Sequence, residues 1–400
     1  MPDLYATYYF RPADGVGPEE AAAELCAEET LGVREENSPR PTDIVRLAGS
    51  VESVSPESEG YIARIRFPDE LFEPGNMVQC LSVVAGDLFG LRVFSSVRLL
   101  DIEFPETVVA PFKGPKFGIS GIRHLLGTKD RPHIGIVIQP KVGLSPQDYA
   151  EAAYQAAVGG ADLIRDSETL TSQPFCPMED RLARVMERLE NARCETGRQV
   201  LYGVNISARA DSIVDRAKEA MDLGANLLMV DAVTAGFSTL QALSEDPGIK
   251  VPIHVNCTMH SALTRNPCQG IALRPLARIL RLLGADQMDL RTSGGDATNL
   301  SEELKETGEV LLTPFFTLKR VLPVVDEKIH PGKVPAAIRA LGSDITLMAG
   351  EGIYGHPEGM VAGLHAMRQA VDAVMAGVSL DEYAKDHYEL ERALKNWGVL

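Results

Sequence analysis

The 400-residue chain is short of positive charge. Its 39 Lys and Arg face 56 Asp and Glu, a formal charge of −17. That balance argues against an electrostatic grip on nucleic acid or on an anionic membrane. Apolar runs of the roughly 18 residues needed to span a bilayer are missing too. The six cysteines (Cys26, Cys80, Cys176, Cys194, Cys257, Cys268) include no Cys-x-x-Cys pair, so they read as reduced, packing thiols. The opening residues, MPDLYATYYFRPADG, lack the basic and apolar regions of a secretory signal. Cytoplasm is the expected compartment. What is present is ordinary for an enzyme-sized globular chain, with 45% hydrophobic and 24% charged residues. The length exceeds one average domain, so two are expected.

The pattern changes near residue 125. Before it, the short segments DLYATYYF, YIARIRF, VQCLSVVAG and SVRLLDIEFP alternate like strands, PEEAAAELCAEET reads as a helix and REENSPRPTD as a polar loop. That mixture predicts an α+β domain with a largely antiparallel sheet over residues 1–125. Beyond residue 130 strands and helices alternate. Eight apolar strand candidates fall at 133–140, 161–168, 199–206, 226–231, 251–256, 287–292, 321–327 and 345–352. Several intervening helices end on Gly-Ala or Gly-Ser, a stop signal before the next strand. Eight such units predict a (β/α)8 barrel with C-terminal helices over 126–400. An open doubly wound sheet is the alternative from pattern alone.

Every strand candidate ends in polar residues. In order they are Gln139 and Lys141; Arg165, Asp166 and Glu168; Asn205; Asp231; His254 and Asn256; Asp289 and Arg291; Asp326 and Glu327; and Glu351. Taken singly, each is a solvated strand end. Together they predict one polar site at the barrel's C-terminal mouth, where such barrels carry their chemistry.

Several of these stretches resemble motifs of the RuBisCO large-chain family. GADLIRDSETLTSQPF is similar to the family's Gly-x-Asp-x-x-Lys-Asp-Asp-Glu signature and the Ser-Gln-Pro-Phe after it. IQPKVGLSPQDYA resembles its Lys-Pro-Lys-Leu-Gly-Leu-Ser segment, and VDAVTAGF, IHVNCTMHSA and GEGIYGHPEGMVAG resemble its fourth-, fifth- and last-strand segments in order. The resemblance covers essentially the whole chain. It implies a ferredoxin-like N-terminal α+β domain followed by a TIM barrel.

Departures from the family pattern fall on its reactive positions. The family's signature lysine becomes a carbamate that binds Mg2+ with the following carboxylates; here the position is Arg165, and Ser167 replaces a ligand. A guanidinium stays protonated and does not form a carbamate. Gln139 stands where the proton-abstracting lysine is implied, Asn256 and Cys257 replace a His-Arg pair, and Asp289 replaces a His. The loop RTSGGDATN has no lysine, and Asp326, Glu327 and Lys328 replace a glycine-rich phosphate turn. Lys141, Glu168, Asn205, Asp231, His254, His260 and Gly350 match the pattern, Glu28 matches its N-terminal glutamate, and Asp87 stands at a position usually held by Asn. For His260 a hydrogen bond at a helix start is an equal reading, and Asn205 and Asp231 read equally as orienting residues.

These departures predict a RuBisCO-like protein of the form IV branch that does not fix CO2. The expected activity is isomerisation, enolisation or carbon–carbon cleavage of an enolisable keto-sugar, keto-acid or sugar acid. Lys141 and Arg165 would stabilise negative charge. Glu168, Asp289 or His254 would move the proton, and Arg165 would rest against Glu168. Glu28, Asp87, Gln139, Asn205, Asp231, Asn256, His260, Arg291, Lys328 and Gly350 would bind the substrate. A catalytically silent binding or regulatory homologue is the alternative. No cofactor is expected; Mg2+ stays open as an alternative, although its carbamate lysine is absent. The expected partners are a small anionic metabolite and a second copy of the chain, as a homodimer or a multiple of one.

Overall fold

The computed structural model describes residues 3–32, 42–291, 302–326 and 328–399. The chain divides into two compact units, Met1–Lys113 with Met259–Leu282, and Gly114–Thr258 with Leu283–Leu400. No helix among the described residues is long and apolar enough to cross a membrane.

The first unit is built on β1 (Leu4–Pro12), which pairs antiparallel with β3 (Gly60–Phe67) on one side and β4 (Phe94–Glu103) on the other. The strand β2 (Ser50–Glu57) extends the sheet beyond β3, and the two-residue β10 (Gly270–Ile271) joins β4 in parallel. The α+β expectation holds, with two local corrections. VQCLSVVAG is the helix Met77–Ala85, not a strand. Its buried residues Met77, Cys80 and Val84 follow helical spacing, and the Asn76 side chain accepts from the Gln79 amide at 3.1 Å, capping the first turn. The edge strand β2, with mostly exposed residues, has too weak an apolar alternation to be read from sequence.

The second unit is a closed barrel of eight parallel strands: β5 (His133–Val137), β6 (Leu163–Arg165), β7 (Leu201–Asn205), β8 (Leu227–Asp231), β9 (Ile253–Asn256), β11 (Gln287–Leu290), β12 (Leu322–Val325) and β13 (Thr346–Met348). All eight predicted strands form, each trimmed at one or both ends, and the open-sheet alternative falls away. Gly160, at φ 107°, ends the helix Pro146–Gly159 in a left-handed cap before β6. Side chains alternate along each strand. Leu163, Leu201, Leu227, Leu322 and Val324 therefore join Ile119 and Ile122 in an apolar cluster, while residues at the other ends of the strands carry the charge.

Alternation also separates Arg165, the last residue of β6, from Asp166 just beyond it. Arg165 pairs with Asp289, whereas Asp166 belongs to a second buried network. It accepts from Tyr149 Oη (2.8 Å), Tyr202 Oη (2.5 Å), Arg181 Nη2 (2.9 Å) and the Asn205 amide (2.9 Å). Asp166 and Arg181 are both fully buried. Removing one partner strands the other charge in a low-dielectric interior. Asp166→Ala should therefore lower unfolding stability by about 3 to 5 kcal/mol, read from urea titration. A loss within experimental error would show that Arg181 is held by its backbone partners alone.

Candidate active site

Arg165 defines the mouth of the barrel. Counting round the closed sheet, β6 and β11 stand opposite each other, and the fully buried Arg165 side chain bridges them. Its Nη2 lies 3.0 Å from Asp289 Oδ2 and 3.7 Å from Asp326 Oδ2. Nη1 donates to the Asp166 carbonyl at 3.3 Å and sits 3.8 Å from Met229 Sδ. The neighbouring strand makes room, because a Cβ on Gly203 would come within 3.1 Å of the Arg165 Cβ. The expected rest partner, Glu168, is engaged elsewhere: it accepts from Lys141 Nζ at 2.5 Å. Burial alone would raise the Glu168 carboxyl, but the Lys141 hydrogen bond and charge, a backbone amide and the Arg165 charge together hold it low. Arg165 sits at the strand end and reaches inward across the barrel, while Glu168 lies on the loop after β6 beside the half-exposed Lys141. That is why the sequence-adjacent pair does not form.

Around Arg165 lie three further groups. His254 is buried within β9, with Nδ1 3.2 Å from Gln287 Oε1 and Nε2 3.2 Å from Asp289 Oδ1, a close approach not aligned as a hydrogen bond. Burial would raise the Asp289 carboxyl; the Arg165 guanidinium and His254 overcome this and hold it well below the usual range. Asp231, at the end of β8, is 3% exposed and its Oδ1 has no hydrogen-bond partner. Burial is the main influence on it; Thr258 opposes and the Glu168 charge adds, so its carboxyl is pushed up to about 6.

Other expected site residues have local duties. The buried Asn205 donates from Nδ2 to the Ser167 and Glu168 carbonyls, both at 3.2 Å, which shapes the loop after β6. Asn256 Nδ2 donates to Thr258 Oγ1 at 3.2 Å. Gln139 is exposed, and its amide donates to Tyr354 Oη at 3.0 Å. Arg291 pairs with Asp326. Lys328 is exposed, and Gly350 opens the helix Gly350–Tyr354, which carries the exposed Glu351. Glu327 and the loop beyond Arg291 lie outside the described residues.

Glu28, Asp87 and His260 belong to the first unit. His260 Nδ1 is 3.1 Å from Thr264 Oγ1, at the start of the helix Ser261–Thr264. Glu28 is half-buried and Asp87 exposed. The residue passed over in sequence is Glu29, whose buried carboxylate accepts from the Gly86 and Asp87 amides at 3.3 and 3.1 Å. Burial pushes it up to about 7 against those two hydrogen bonds. It falls three and four residues after the buried Cys26 and Leu25, a spacing that could have identified it.

The residues present do not fit the Mg2+–carbamate unit that the resemblance implies. Arg165 is locked by carboxylates, Ser167 is neutral and Glu168 is taken by Lys141. No three acidic, His or Cys side chains among the described residues converge as a metal-ligand set. A divalent ion ~4 Å from the guanidinium would meet roughly 8 kcal/mol of repulsion at an effective dielectric of about 20.

Asp231 generates a pH signature. Its folded value, about 6, lies above the unfolded value of about 3.9. The fold therefore favours the protonated form: this contribution is full below the unfolded value and is lost as pH rises through the folded one. Asp231→Asn removes the titration. Between about pH 4 and about pH 7 the variant should gain up to about 3 kcal/mol relative to the parent, measured as urea stability against pH. A pH-independent difference would contradict the shifted carboxyl.

The fold recurs in known proteins. Residues 1–108 match the family model "Ribulose bisphosphate carboxylase large chain, N-terminal domain", and residues 118–397 match that of its catalytic domain. A ribulose bisphosphate carboxylase of Pyrococcus abyssi is 39% identical over 401 residues, spanning 100% of this chain and 94% of that protein. The crystal structure of the octameric ribulose-1,5-bisphosphate carboxylase/oxygenase of Pyrococcus horikoshii superposes with a TM-score of 0.93 at 39% identity, covering 99% of this chain and 94% of that one. A rubisco-like protein from Burkholderia fungorum is less similar, with a TM-score of 0.88 and 27% identity over 99% and 100% of the two chains. These findings overturn the form IV assignment and the expectation of a non-carboxylating isomerase, lyase or silent homologue, because the full-length likeness is to carboxylases. Substitutions at a few reactive positions were given more weight than the rest of the chain supports. The chain belongs to the ribulose bisphosphate carboxylase large-chain family.

Proposed function

We propose that the chain is an enzyme of the ribulose bisphosphate carboxylase type, which binds an anionic sugar phosphate at the barrel's C-terminal mouth and carries out the reaction for which its relatives are named. The observation that carries this reading is likeness distributed over the whole chain, 39% identity across 401 residues. The mouth supplies what an anionic substrate needs. Lys141 and Arg291 are half-exposed, at 51% and 45%, and rest against Glu168 and Asp326. Exposed pairs of this kind are worth about 0–1 kcal/mol, so a phosphate or carboxylate exchanges for the protein carboxylate at little cost. Arg165 stays in place beneath them as fixed positive charge. Asp231, with one unpartnered oxygen and a carboxyl near neutrality, moves the proton.

Self-association belongs to the same reading, as does a reducing cytoplasmic setting for six unpaired cysteines. The Pyrococcus horikoshii relative is octameric, and light scattering of this protein should give a multiple of the chain mass.

The direct test follows radiolabelled bicarbonate into acid-stable product with ribulose 1,5-bisphosphate as acceptor. Substrate-dependent incorporation is expected, and Lys141→Met should lower kcat/KM about a hundredfold, the loss of about 2–3 kcal/mol from a charged hydrogen bond. No incorporation by folded protein at any substrate, bicarbonate or metal concentration would overturn the carboxylase reading.

A further inference from the structure

Four buried polar atoms at one end of the barrel make no aligned hydrogen bond: Arg165 Nε and Asp231 Oδ1, which face no partner, and His254 Nε2 and Asp289 Oδ1, which lie 3.2 Å from each other. Buried polar atoms are usually satisfied, and a cluster of exceptions asks for a cause. These four come from β6, β8, β9 and β11, and two of their side chains, Arg165 and Asp289, make the 3.0 Å cross-barrel ion pair. An inserted metal ion does not account for them. The guanidinium is fully buried among them, flanked by Asp289 and Asp326. Glu168, the carboxylate left at the ligand positions that the resemblance implies, is held by Lys141. Arg165 Nε is a guanidinium N–H donor, which suits an oxygen and repels a cation.

We infer that Arg165 is the resident cation of this mouth: a guanidinium clamped across the barrel by Asp289 that occupies the place of a divalent metal, so that the anionic ligand is received without metal or carbamate. Arginine suits this duty because it stays charged when buried and presents five donors in a plane. Asp289 and the Asp166 carbonyl engage its two terminal nitrogens, leaving Nε unpartnered. The glycine at position 203 keeps the neighbouring strand clear of its stem. The inference rests on the proposed sugar-phosphate substrate in one arm of its test only.

That test begins with Mg2+ alone, titrated calorimetrically into the purified chain with and without bicarbonate. No saturable heat is expected, and elemental analysis should find less than one divalent ion per chain. One tightly bound ion per chain, lost on Glu168→Gln, would overturn the inference whatever the enzyme's reaction is. In the second arm, ribulose 1,5-bisphosphate binding is measured in chelator. Affinity should be unchanged by chelation and should fall about a hundredfold in Arg165→Met. Because that variant leaves Asp289 buried and uncompensated, Arg165→Met/Asp289→Leu serves as the folded control, apolar replacement of a whole buried pair being well tolerated. Binding by the folded double variant equal to the parent's, or loss of binding in chelator, would overturn the inference. If the sugar bisphosphate does not bind the parent chain at all, the substrate reading fails and the Mg2+ arm alone decides.

Discussion

The site depends on one buried ion pair, Arg165 with Asp289, drawn across the barrel above an apolar cluster. Neither charge is tolerable alone. The guanidinium has no exposure, and the carboxylate would rise steeply on burial were it not faced by Arg165 and His254. Each makes the other's burial possible, and the pair joins opposite strands of the barrel. Its consequences spread outward. Asp326 is drawn to within 3.7 Å of the same guanidinium and so becomes the partner that orients Arg291. With Arg165 committed to Asp289, Glu168 pairs with Lys141. The exchangeable cations of the rim are thus arranged by a pair beneath them that does not exchange.

Strand alternation explains how one short segment serves both stability and chemistry. Arg165 and Asp166 are adjacent and both fully buried, yet they belong to separate networks. Asp166 is saturated by two tyrosines, an arginine and a backbone amide, and a carboxylate with that many donors has little capacity left for a ligand. Across the strand, Arg165 keeps an unmet donor. A fully satisfied network stiffens the wall that holds a partly satisfied one.

The barrel was legible because its signals are local and repeated: apolar strands, helices stopped by glycine and polar strand ends, eight times over. The antiparallel domain was less so. VQCLSVVAG carries alternation and helical spacing at once, and only the Asn76 cap and the burial of Met77, Cys80 and Val84 decide for the helix. Within the site, the residue set was readable and the pairing was not. Arg165 with Asp289 joins positions 124 apart in sequence, and nothing local favours Asp289 over the nearby Glu168. Glu29 was missed for the opposite reason: its spacing from Leu25 and Cys26 is visible, but an acidic residue beside another reads first as a solvated helix end. The branch assignment failed because a few substitutions at reactive positions are weak evidence against likeness spread along the whole chain.

The titration of Asp231 ties these parts together. Its carboxyl is raised first by burial and further by the charge on Glu168, and that charge is exposed to the ligand's influence. When an anion takes Lys141 from Glu168, the carboxylate loses its partner. The negative charge that Asp231 senses then increases, with the bound anion adding to it. Both changes favour protonated Asp231, so anion binding and proton uptake are linked through the field at the mouth. Arg165 limits the effect by lowering Asp231 from a fixed position. On the proposed function, binding at the rim would be coupled to protonation of Asp231 through the charges between them.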